Sequence, residues 1–435
     1  MCKRTFLILP GCDDTNRGDQ ALIWETVSLA KDAGFQGEYF MIADKEKSRQ
    51  SVAEGIGNID YILKHPSTHF KKKNNIRYGG LLKLKWAAVS IVDSFKALVL
   101  LNPFIRKHCI KIYSKCTQRT IHIFERAEAA FVKGGGFLHA YGNPIETYTA
   151  FYNLYHIILA QSMGIPVYVM PNSFGPFDSI GSSALIKRVL KKCRFVSARE
   201  RISQNSIRNL GIECELYPDL AFYLKTNNAL NSRQMERLNK IISGEKCCVA
   251  ITMRPYRFPN LDNAVEAYKL YKESMCGFVK FLSEHDFLPV LIEHTYSDTE
   301  HERDMSCIND VVELLGDSCE YEVYSDLSLD SRQLKYVYSR FDYIVGTRFH
   351  SVIFSLASRV PAIAITYGGN KGEGIMNDIG LSEYAIAISD LTTENLIDKF
   401  IQLLKNEGQV KEKIENYLGN LSEMRTRLIN EIRGL

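Results

Sequence analysis

The stretch "YIVGTRFHSVIFSLASRVPAIAITYGGNKGEG", which runs from Tyr343 to Gly374, decides the fold class of this protein. A short apolar run ends at Gly346, an apolar helix-like run follows from His350, and a further apolar run comes after a proline. Strand, helix and strand in this order predict a parallel β–α–β unit. A fixed cation, Arg348, lies where the strand ends and the helix begins, and α/β proteins hold anions at such junctions.

The same alternation of apolar runs with loops and helix-like segments occurs in both halves of the chain. The runs are "TFLILP", "AAFVKGGG", "IPVYVMPNSFGPF" and "RFVSARER" in the first half, and "KCCVAITMR", "FLPVLIEHTY", "DYIVGTR", "PAIAITYG" and "YAIAIS" in the second. The sequence therefore predicts an α/β protein with two Rossmann-like domains facing a cleft. The predicted parts are an N-terminal domain (1–224), a polar linker (225–245), a C-terminal domain (246–405) and a helical segment (406–435).

The positive charge of the chain is concentrated in one segment. The 435 residues carry a net charge of only +4, and no nucleic-acid partner is expected. From Lys64 to Arg126, however, 14 Lys or Arg face two acidic residues. We interpret about 64–126 as a basic insert in the N-terminal domain. Its segment "GLLKLKWAAVSIVDSFKALVLL" predicts an amphipathic helix, which either packs its apolar residues into the core or lies on an anionic membrane with Trp86 and leucines inward.

The cysteines and the N-terminus predict a cytoplasmic location. The eleven cysteines form no CxxC pair, and "MCKRTFLILPG" leads directly into a strand instead of a leader peptide. Reduced, mostly buried thiols are therefore expected. No bilayer-spanning segment is predicted, because the longest charge-free stretch of the insert, Ala97 to Ile105, is far below the ~20 residues required.

Candidate site residues follow from the rule that open α/β sheets bind ligands at the carboxyl ends of their strands. In the first half these positions are Asn16, Gly18, Asp19, Gly134, Gly135, Gly136, Ser173, Gly175 and Arg199. In the second half they are Arg254, His294, Arg348, His350, Lys371 and Glu373. Cations and histidines dominate the second set, so we expect the C-terminal domain to hold an anionic ligand.

Arg348 and His350 form the most specific pair. The first turn of the following helix favours an anion, and the guanidinium adds a planar fork that suits carboxylate or phosphate. His350 can donate to phosphate or move a proton near neutral pH. The alternatives are an ordinary surface arginine and a histidine that caps or fills the core.

The usual nucleotide-phosphate motifs and metal clusters are absent from the sequence. The three glycines after "FVK" do not match GxGxxG, and no GxxxxGK[ST] occurs. Asp13 and Asp14 are more typical of a turn than of a metal site. Neither a metal nor another cofactor is therefore expected.

Five motifs in order resemble the polysaccharide pyruvyl transferase family. They are "NRGDQAL", "VKGGGFL", "NSFGPF", "VSARERISQNSIRNLGIECELYPDLAF" and "GTRFHSVIFSLASRVPAIAITYGGNK". The resemblance covers nearly the whole chain except the basic insert. It implies a fold like that of the GT-B glycosyltransferases, and transfer of a three-carbon unit from phosphoenolpyruvate to a sugar as a cyclic ketal.

The resemblance also assigns roles to the candidate residues. Arg348 and His350 match the donor-binding Arg-x-His of the family, and Arg199 matches the arginine of its Arg-acid pair. With Lys371 these residues are expected to clamp phosphoenolpyruvate, and His350 beside Arg348 is expected to transfer the proton. The residues expected at the acceptor or in loop contacts are Asn16, Gly18, Asp19, Gly135, Gly136, Ser173 and His294.

The expected acceptor is a lipid-linked oligosaccharide, met at the inner face of the cytoplasmic membrane, to which the basic insert would bind peripherally. Two other functions fit the sequence. The first is a GT-B glycosyltransferase, which would bind a sugar nucleotide. The second is a non-catalytic carbohydrate- or lipid-binding scaffold, which has no need for a proton donor beside a fixed cation.

Overall fold

Two parallel sheets form the framework of the protein. A computed structural model describes residues 4–64, 80–259, 261–297, 302–368 and 371–434, excepting the side chains of residues 80–83, 144 and 371. The first sheet has the order β3-β2-β1-β4-β6-β7-β8, with β5 beside β6. Its strands are β1 (Thr5–Leu9), β2 (Glu38–Ile42), β3 (Ile56–Ile59), β4 (Ala127–Val132), β5 (Gly135–Ala140), β6 (Val167–Phe177), β7 (Phe195–Ala198) and β8 (Glu215–Leu216).

The second sheet contains the stretch that opened the sequence. Its order is β11-β10-β9-β12-β13-β14. Its strands are β9 (Cys247–Thr252), β10 (Phe287–Ile292), β11 (Glu322–Tyr324), β12 (Tyr343–Gly346), β13 (Ala362–Thr366) and β14 (Ala385–Ala387). Strand β12 pairs in parallel with β13, so that Gly346 lies beside Ala364. The strands are apolar and buried on both sides, as parallel sheets covered by helices require. The predicted α/β class is confirmed.

Helices cover both sheets. In the first half they are α1 (Arg17–Asp32), α2 (Arg49–Ala53), α3 (Gly80–Leu101), α4 (Pro103–Cys109), α5 (Lys115–Arg126), α6 (Pro144–Ser162), α7 (Ser182–Leu190) and α8 (Arg201–Asn209). In the second half they are α9 (Ser232–Ile242), α10 (Ala264–Glu284), α11 (Asp304–Leu315), α12 (Ser331–Tyr338), α13 (Phe349–Leu356), α14 (Lys371–Ile379), α15 (Thr393–Lys405), α16 (Glu407–Gly419) and α17 (Leu421–Arg433). Helix α9 lies inside the stretch 225–245, and its Leu238 and Ile241 are buried.

Helix α1 connects the two halves. Asn16 caps it by accepting from the backbone N–H of Gly18 at 3.0 Å, and the same residue bridges to Thr295 of the second half. The side chain of Gln20 accepts from the backbone N–H of Ser331 at 2.8 Å. At the other end of α1, the carboxylate of Asp32 accepts a hydrogen bond from Nη2 of Arg425 in α17 at 2.5 Å. The C-terminal helix therefore returns to the N-terminal sheet and fixes α1 between the two halves.

The basic insert forms α3, α4 and α5. Among the described residues no single helix is long and apolar enough to cross a bilayer. The consecutive helical segments Leu84–Leu101 and Pro103–Ile112 are together long and apolar enough to cross a bilayer, but the chain bends by 108° between them. On α3 the residues Ala97 and Leu100 are buried. The lysine triplet 71–73 lies outside the described residues.

Candidate active site

A cavity of about 410 Å³ lies between the two halves, at the carboxyl ends of both sheets. The loops after β1 and β4 and residues of β5 and β6 line it from one side, and the starts of α13 and α14 line it from the other. The predicted residues that line it are Asn16, Asp19, Gly135, Gly136, Ser173, Gly175, His294, Arg348 and His350. Residues more than 300 positions apart in the sequence are thus brought together as the strand-end rule predicts.

Arg348 is a rigid cation in the wall of this cavity. It is the N-cap residue of α13 and is 8% exposed. Its Nε donates to Oδ1 of Asp304 at 2.6 Å, and its Nη2 donates to the carbonyl oxygen of Glu302 at 2.6 Å. Asp304 is fully buried and also accepts from the backbone N–H groups of His294 and Thr295. An arginine has five N–H donors, so this support leaves donors on the same fixed plane for a ligand.

His350 lies in the first turn of α13, against the N-terminus of α1. Its Nε2 is 3.7 Å from Oδ2 of Asp219. A Cβ added to Gly18 would lie 2.0 Å from Nδ1 of His350. Gly18 therefore does not line the cavity as predicted for a ligand contact. Its missing side chain makes room for the imidazole.

Arg199 lies behind the cavity wall instead of lining the cavity. Its side chain is fully buried, with Nη1 donating to Asp219 at 2.6 Å and Nε donating to Ser173 at 2.7 Å. Its Nη2 has no hydrogen-bond partner among the described residues. Arg199 directly follows β7 and contacts the site through Ser173 of β6 and through Asp219. It is not among the residues that line the cavity, so its role in binding the donor stays a prediction.

Asp219 is the aspartate of the fourth motif, but it was given no role among the candidate site residues. It accepts a hydrogen bond from Arg199 and also approaches the imidazole of His350, so one carboxylate joins residues of the two halves. Its second oxygen accepts from the backbone N–H of Ala221 at 2.8 Å. The signal was present in "LYPDLAF", but the partners lie 20 and 131 positions away.

Lys133 is a cation of the site that was not among the candidate residues. It follows β4 directly, is 4% exposed and lines the cavity. Its Nζ donates to Oδ1 of Asp19 at 2.7 Å. Burial opposes the charged form, but the neighbouring carboxylate of Asp19 outweighs it and raises the pKa of Lys133 above its usual value. The cavity thus holds two fixed positive charges, one from each half.

Two further histidines line the cavity. Burial lowers the pKa of His139, so its ring is neutral at pH 7. Its Nδ1 has no hydrogen-bond partner among the residues described by the structure. The ring packs 4.9 Å from that of Tyr141. His294 is 3% exposed and its Nδ1 is 3.2 Å from the hydroxyl of Tyr338, which makes it part of the wall.

The remaining predicted residues lie at the edge of the site. The side chain of Lys371 lies outside the described residues, although the next residue, Gly372, lines the cavity. The guanidinium of Arg254 stacks on Tyr367, 4.5 Å from the ring centroid. Over the described parts of the chain, no group of three or more His, Cys, Asp or Glu could hold a metal ion. Asp13 accepts a local hydrogen bond from the backbone N–H of Thr15, as turn residues do, whereas Asp14 accepts one from the backbone N–H of Ser51 in α2.

Comparison with known families identifies the chain. The model of the polysaccharide pyruvyl transferase family matches residues 16–369. The chain belongs to the polysaccharide pyruvyl transferase family. The resemblance inferred from the five motifs is thereby confirmed. The matched region begins at Asn16 and includes Lys133, Arg348 and His350, and therefore residues of both walls of the cavity.

A curated relative and several solved structures are similar to this chain. The "Amylovoran biosynthesis protein AmsJ" of Erwinia amylovora is 24% identical over 277 residues, which are 61% of this chain and 66% of that protein. The chain thus matches slightly less than two thirds of the length of this relative.

Among the structures, HepE of Anabaena in complex with UDP-glucose has a TM-score of 0.57 at 8% identity, over 99% of this chain and 100% of that one. The MnaA–UDP structure of S. aureus has a TM-score of 0.57 at 11% identity, over 99% and 96%. At these identities the likeness concerns the fold alone, and it confirms the predicted GT-B-like arrangement.

Proposed function

We propose that this protein transfers the pyruvyl group of phosphoenolpyruvate to a sugar of a surface-polysaccharide repeat unit and forms a cyclic ketal. Membership of the polysaccharide pyruvyl transferase family supports the type of transfer. The observation that carries the proposal is the pair of buried, pre-positioned cations, Arg348 and Lys133, on opposite walls of one cavity. Phosphoenolpyruvate carries two anionic groups, a carboxylate and a phosphate.

The charges on the walls suit this donor. Arg348 is held by Asp304 and by the carbonyl of Glu302, so its remaining donors are fixed before a ligand arrives. Pre-organised charges in a site of low water content stabilise developing charge without a cost in reorganisation. Lys133, in the other wall, is the nearest counterpart for the second anionic group, and Lys371 is a further candidate from the sequence. We therefore expect binding and turnover without a metal.

The reaction assigns one proton transfer to His350. The methylene carbon of phosphoenolpyruvate gains a proton and becomes a methyl group, while a sugar hydroxyl attacks C2. The C2–phosphate bond then breaks, a second hydroxyl closes the ring, and one hydroxyl proton leaves with phosphate. An imidazolium at His350 would donate the first proton, and Asp219 at 3.7 Å would stabilise it. His139, neutral and without a partner for Nδ1 in the described part of the chain, is the candidate acceptor for a hydroxyl proton.

Release of phosphate tests this proposal. The protein is incubated with phosphoenolpyruvate alone, with a panel of lipid-linked oligosaccharides alone, and with both together. Phosphate is expected only when donor and acceptor are both present. A parallel series supplies UDP-glucose or GDP-mannose in place of phosphoenolpyruvate. Release of UDP or GDP in that series, with none of phosphate in the first, would contradict pyruvyl transfer and support the glycosyltransferase alternative.

The acceptor is proposed to be lipid-linked, because α3 and α4 carry an apolar surface suited to a membrane. The large apolar residues of this surface are Leu84, Ile91, Val92, Phe95, Leu98, Phe104, Ile105 and Ile112. Ile105 is 39% exposed, and the others are about half to four-fifths exposed. On α3 they recur at intervals of three, four and seven residues, which places them on one face. The opposite face packs inward through Ala97 and Leu100. Exposed apolar patches of this size mark interaction sites.

The charge around this surface favours an anionic bilayer as its occupant. Lys85, Lys96 and Lys107 are exposed beside the apolar residues. Each basic residue near an anionic membrane contributes about 1 kcal/mol, and salt screens the attraction. We therefore propose peripheral binding at the inner face of the cytoplasmic membrane.

Sedimentation with phosphatidylglycerol vesicles tests the membrane proposal. The full chain is expected to bind at low salt and to dissociate partly at high salt. The double variant Ile91→Asp/Phe95→Asp should lose binding. A matched control, Val265→Asp/Leu270→Asp, replaces two exposed apolar residues of α10 and should bind like the wild type. Equal binding by both double variants would contradict a docking role for α3.

A further inference from the structure

A second cavity adjoins the first on the side of the C-terminal sheet. Its volume is about 240 Å³, and Thr366, Tyr367 and Gly368 line both cavities. Tyr256 and Phe258, from the loop after β9, line its inner part. The main cavity, at about 410 Å³, lies near the lower end of the ~300–1,000 Å³ range of ligand sites. A three-carbon donor and one sugar ring fill such a space, so the rest of an oligosaccharide must leave it along the wall.

The aromatic rings of this second cavity are held in place by one another. The ring of Tyr256 is 4.9 Å from that of Phe258 and 5.1 Å from that of Tyr367. Arg254 covers one face of Tyr367 at 4.5 Å. Phe258 has a φ of +45° although it is a bulky residue and only 4% exposed. Such a backbone conformation is uncommon outside glycine and concentrates at functional sites.

Polar groups lie at the rim of the same cavity. Glu373 and Ser389 line it and are exposed. The hydroxyl of Thr366 is 3.4 Å from Oε1 of Glu373. An aromatic wall with hydroxyl and carboxylate groups at its edge suits a pyranose ring, which has an apolar face of C–H groups and hydroxyls around its circumference. A nucleotide base would also stack here, but the carboxylate of Glu373 would repel its phosphates.

From these observations we infer that the cavity lined by Tyr256, Phe258 and Tyr367 binds the sugar residue adjacent to the one that receives the pyruvyl group. This inference rests on the proposed function, because it requires an oligosaccharide in the main cavity. The subsite selects the acceptor by its neighbouring sugar and takes no part in the transfer itself.

Acceptor length tests the inference. The phosphate-release assay first identifies which sugar is pyruvylated. Three acceptors are then compared: the octyl glycoside of that sugar alone, and two octyl disaccharides in which one further sugar is attached on either side of it. In the wild type, one disaccharide should have a KM roughly tenfold lower than the monosaccharide, the effect of one aromatic stacking contact. In Tyr256→Ala this advantage should disappear, while KM for the monosaccharide and for phosphoenolpyruvate stays within twofold. Tyr256→Phe keeps the ring and should keep the advantage.

Three results would overturn the inference. The first is a wild type that favours neither disaccharide over the monosaccharide. The second is a Tyr256→Ala variant that binds phosphoenolpyruvate, and is therefore folded, but has weakened affinity for all acceptors alike. The third comes from a separate calorimetric titration: binding of UDP that Tyr256→Ala abolishes would assign the cavity to a nucleotide. If no sugar is pyruvylated at all, the proposed function fails and this inference fails with it. Pyruvylation without any dependence on length removes the subsite alone.

Discussion

Replacing Gly18 by alanine tests how closely the two halves of the protein must approach at the site. The added Cβ would lie 2.0 Å from Nδ1, 2.3 Å from Cγ and 2.6 Å from Cβ of His350. Ordinary contact begins near 3.4 Å. The imidazole and the first turn of α1 must therefore separate by the difference between 3.4 and 2.0 Å, about 1.4 Å. Because the Cβ of His350 is also too close, rotation of the ring alone does not relieve the clash.

A displacement of this size should reduce turnover strongly. Misplacement of a catalytic group by about 1 Å can lower the rate by about 100-fold. We expect kcat of Gly18→Ala to fall by about that factor, because the imidazole of His350 is displaced. The assay is phosphate release at saturating donor, together with calorimetry for donor binding.

The chain offers a matched control for this substitution. Gly408 is the second residue of α16, as Gly18 is the second residue of α1, and nothing lies within 4 Å of a Cβ added there. Both substitutions should favour the helix by up to about 1 kcal/mol. Gly408→Ala should therefore keep full activity. Activity of Gly18→Ala within threefold of the wild type would refute the proposed position of His350.

Three further predictions concern the charges of the site. Arg348→Lys keeps the charge but loses the fork that Asp304 supports, so calorimetry should show phosphoenolpyruvate binding weaker by about 1.5–3 kcal/mol; an unchanged affinity would remove Arg348 from the donor site. Turnover should persist in excess EDTA, and activity lost in EDTA and restored by Mg²⁺ or Mn²⁺ would contradict a metal-free reaction. Asp19→Asn leaves the ammonium of Lys133 buried without its carboxylate, so thermal unfolding should show a loss of roughly 2–3 kcal/mol; an unchanged melting temperature would show that the pair contributes nothing to stability.

The strand ends could be predicted from the sequence because their signal is local. An apolar run followed by a glycine, an arginine and an apolar helix places Arg348 and His350 at the end of β12 without knowledge of any other segment. The same pattern located Asn16 and Ser173. All four line the one cavity, since parallel strands end at the same edge of a sheet.

The supporting residues could not be predicted because their partners are distant in the chain. Asp304 lies 44 positions before Arg348 and is at first sight an ordinary acidic residue in the first turn of a helix. Asp219 belongs to the fourth motif, but its partners Arg199 and His350 lie 20 and 131 positions away. Lys133 directly precedes the three glycines, and its partner Asp19 lies 114 positions before it. Arg199 is at a strand end, as expected, but the sequence does not reveal that Ser173 and Asp219 enclose it.

The insert shows a different limit of sequence reasoning. Helix α3 is apolar on nearly all sides, so periodicity alone does not separate a core helix from a surface helix. In the structure Leu100 is buried while Ile91 and Phe95 are each 69% exposed. One side of the helix thus packs inward and the other is exposed.

The most direct test of the central proposal is the structure of the product formed from phosphoenolpyruvate labelled with ¹³C at C2. The protein is incubated with this donor and the lipid-linked acceptor panel, and the released oligosaccharide is examined by mass spectrometry and NMR. We predict a mass gain equal to pyruvate less one water, and a labelled quaternary carbon bonded to two sugar oxygens and one methyl group. A mass gain of a hexose from an added sugar nucleotide, or an enol ether that keeps its methylene group, would contradict ketal transfer.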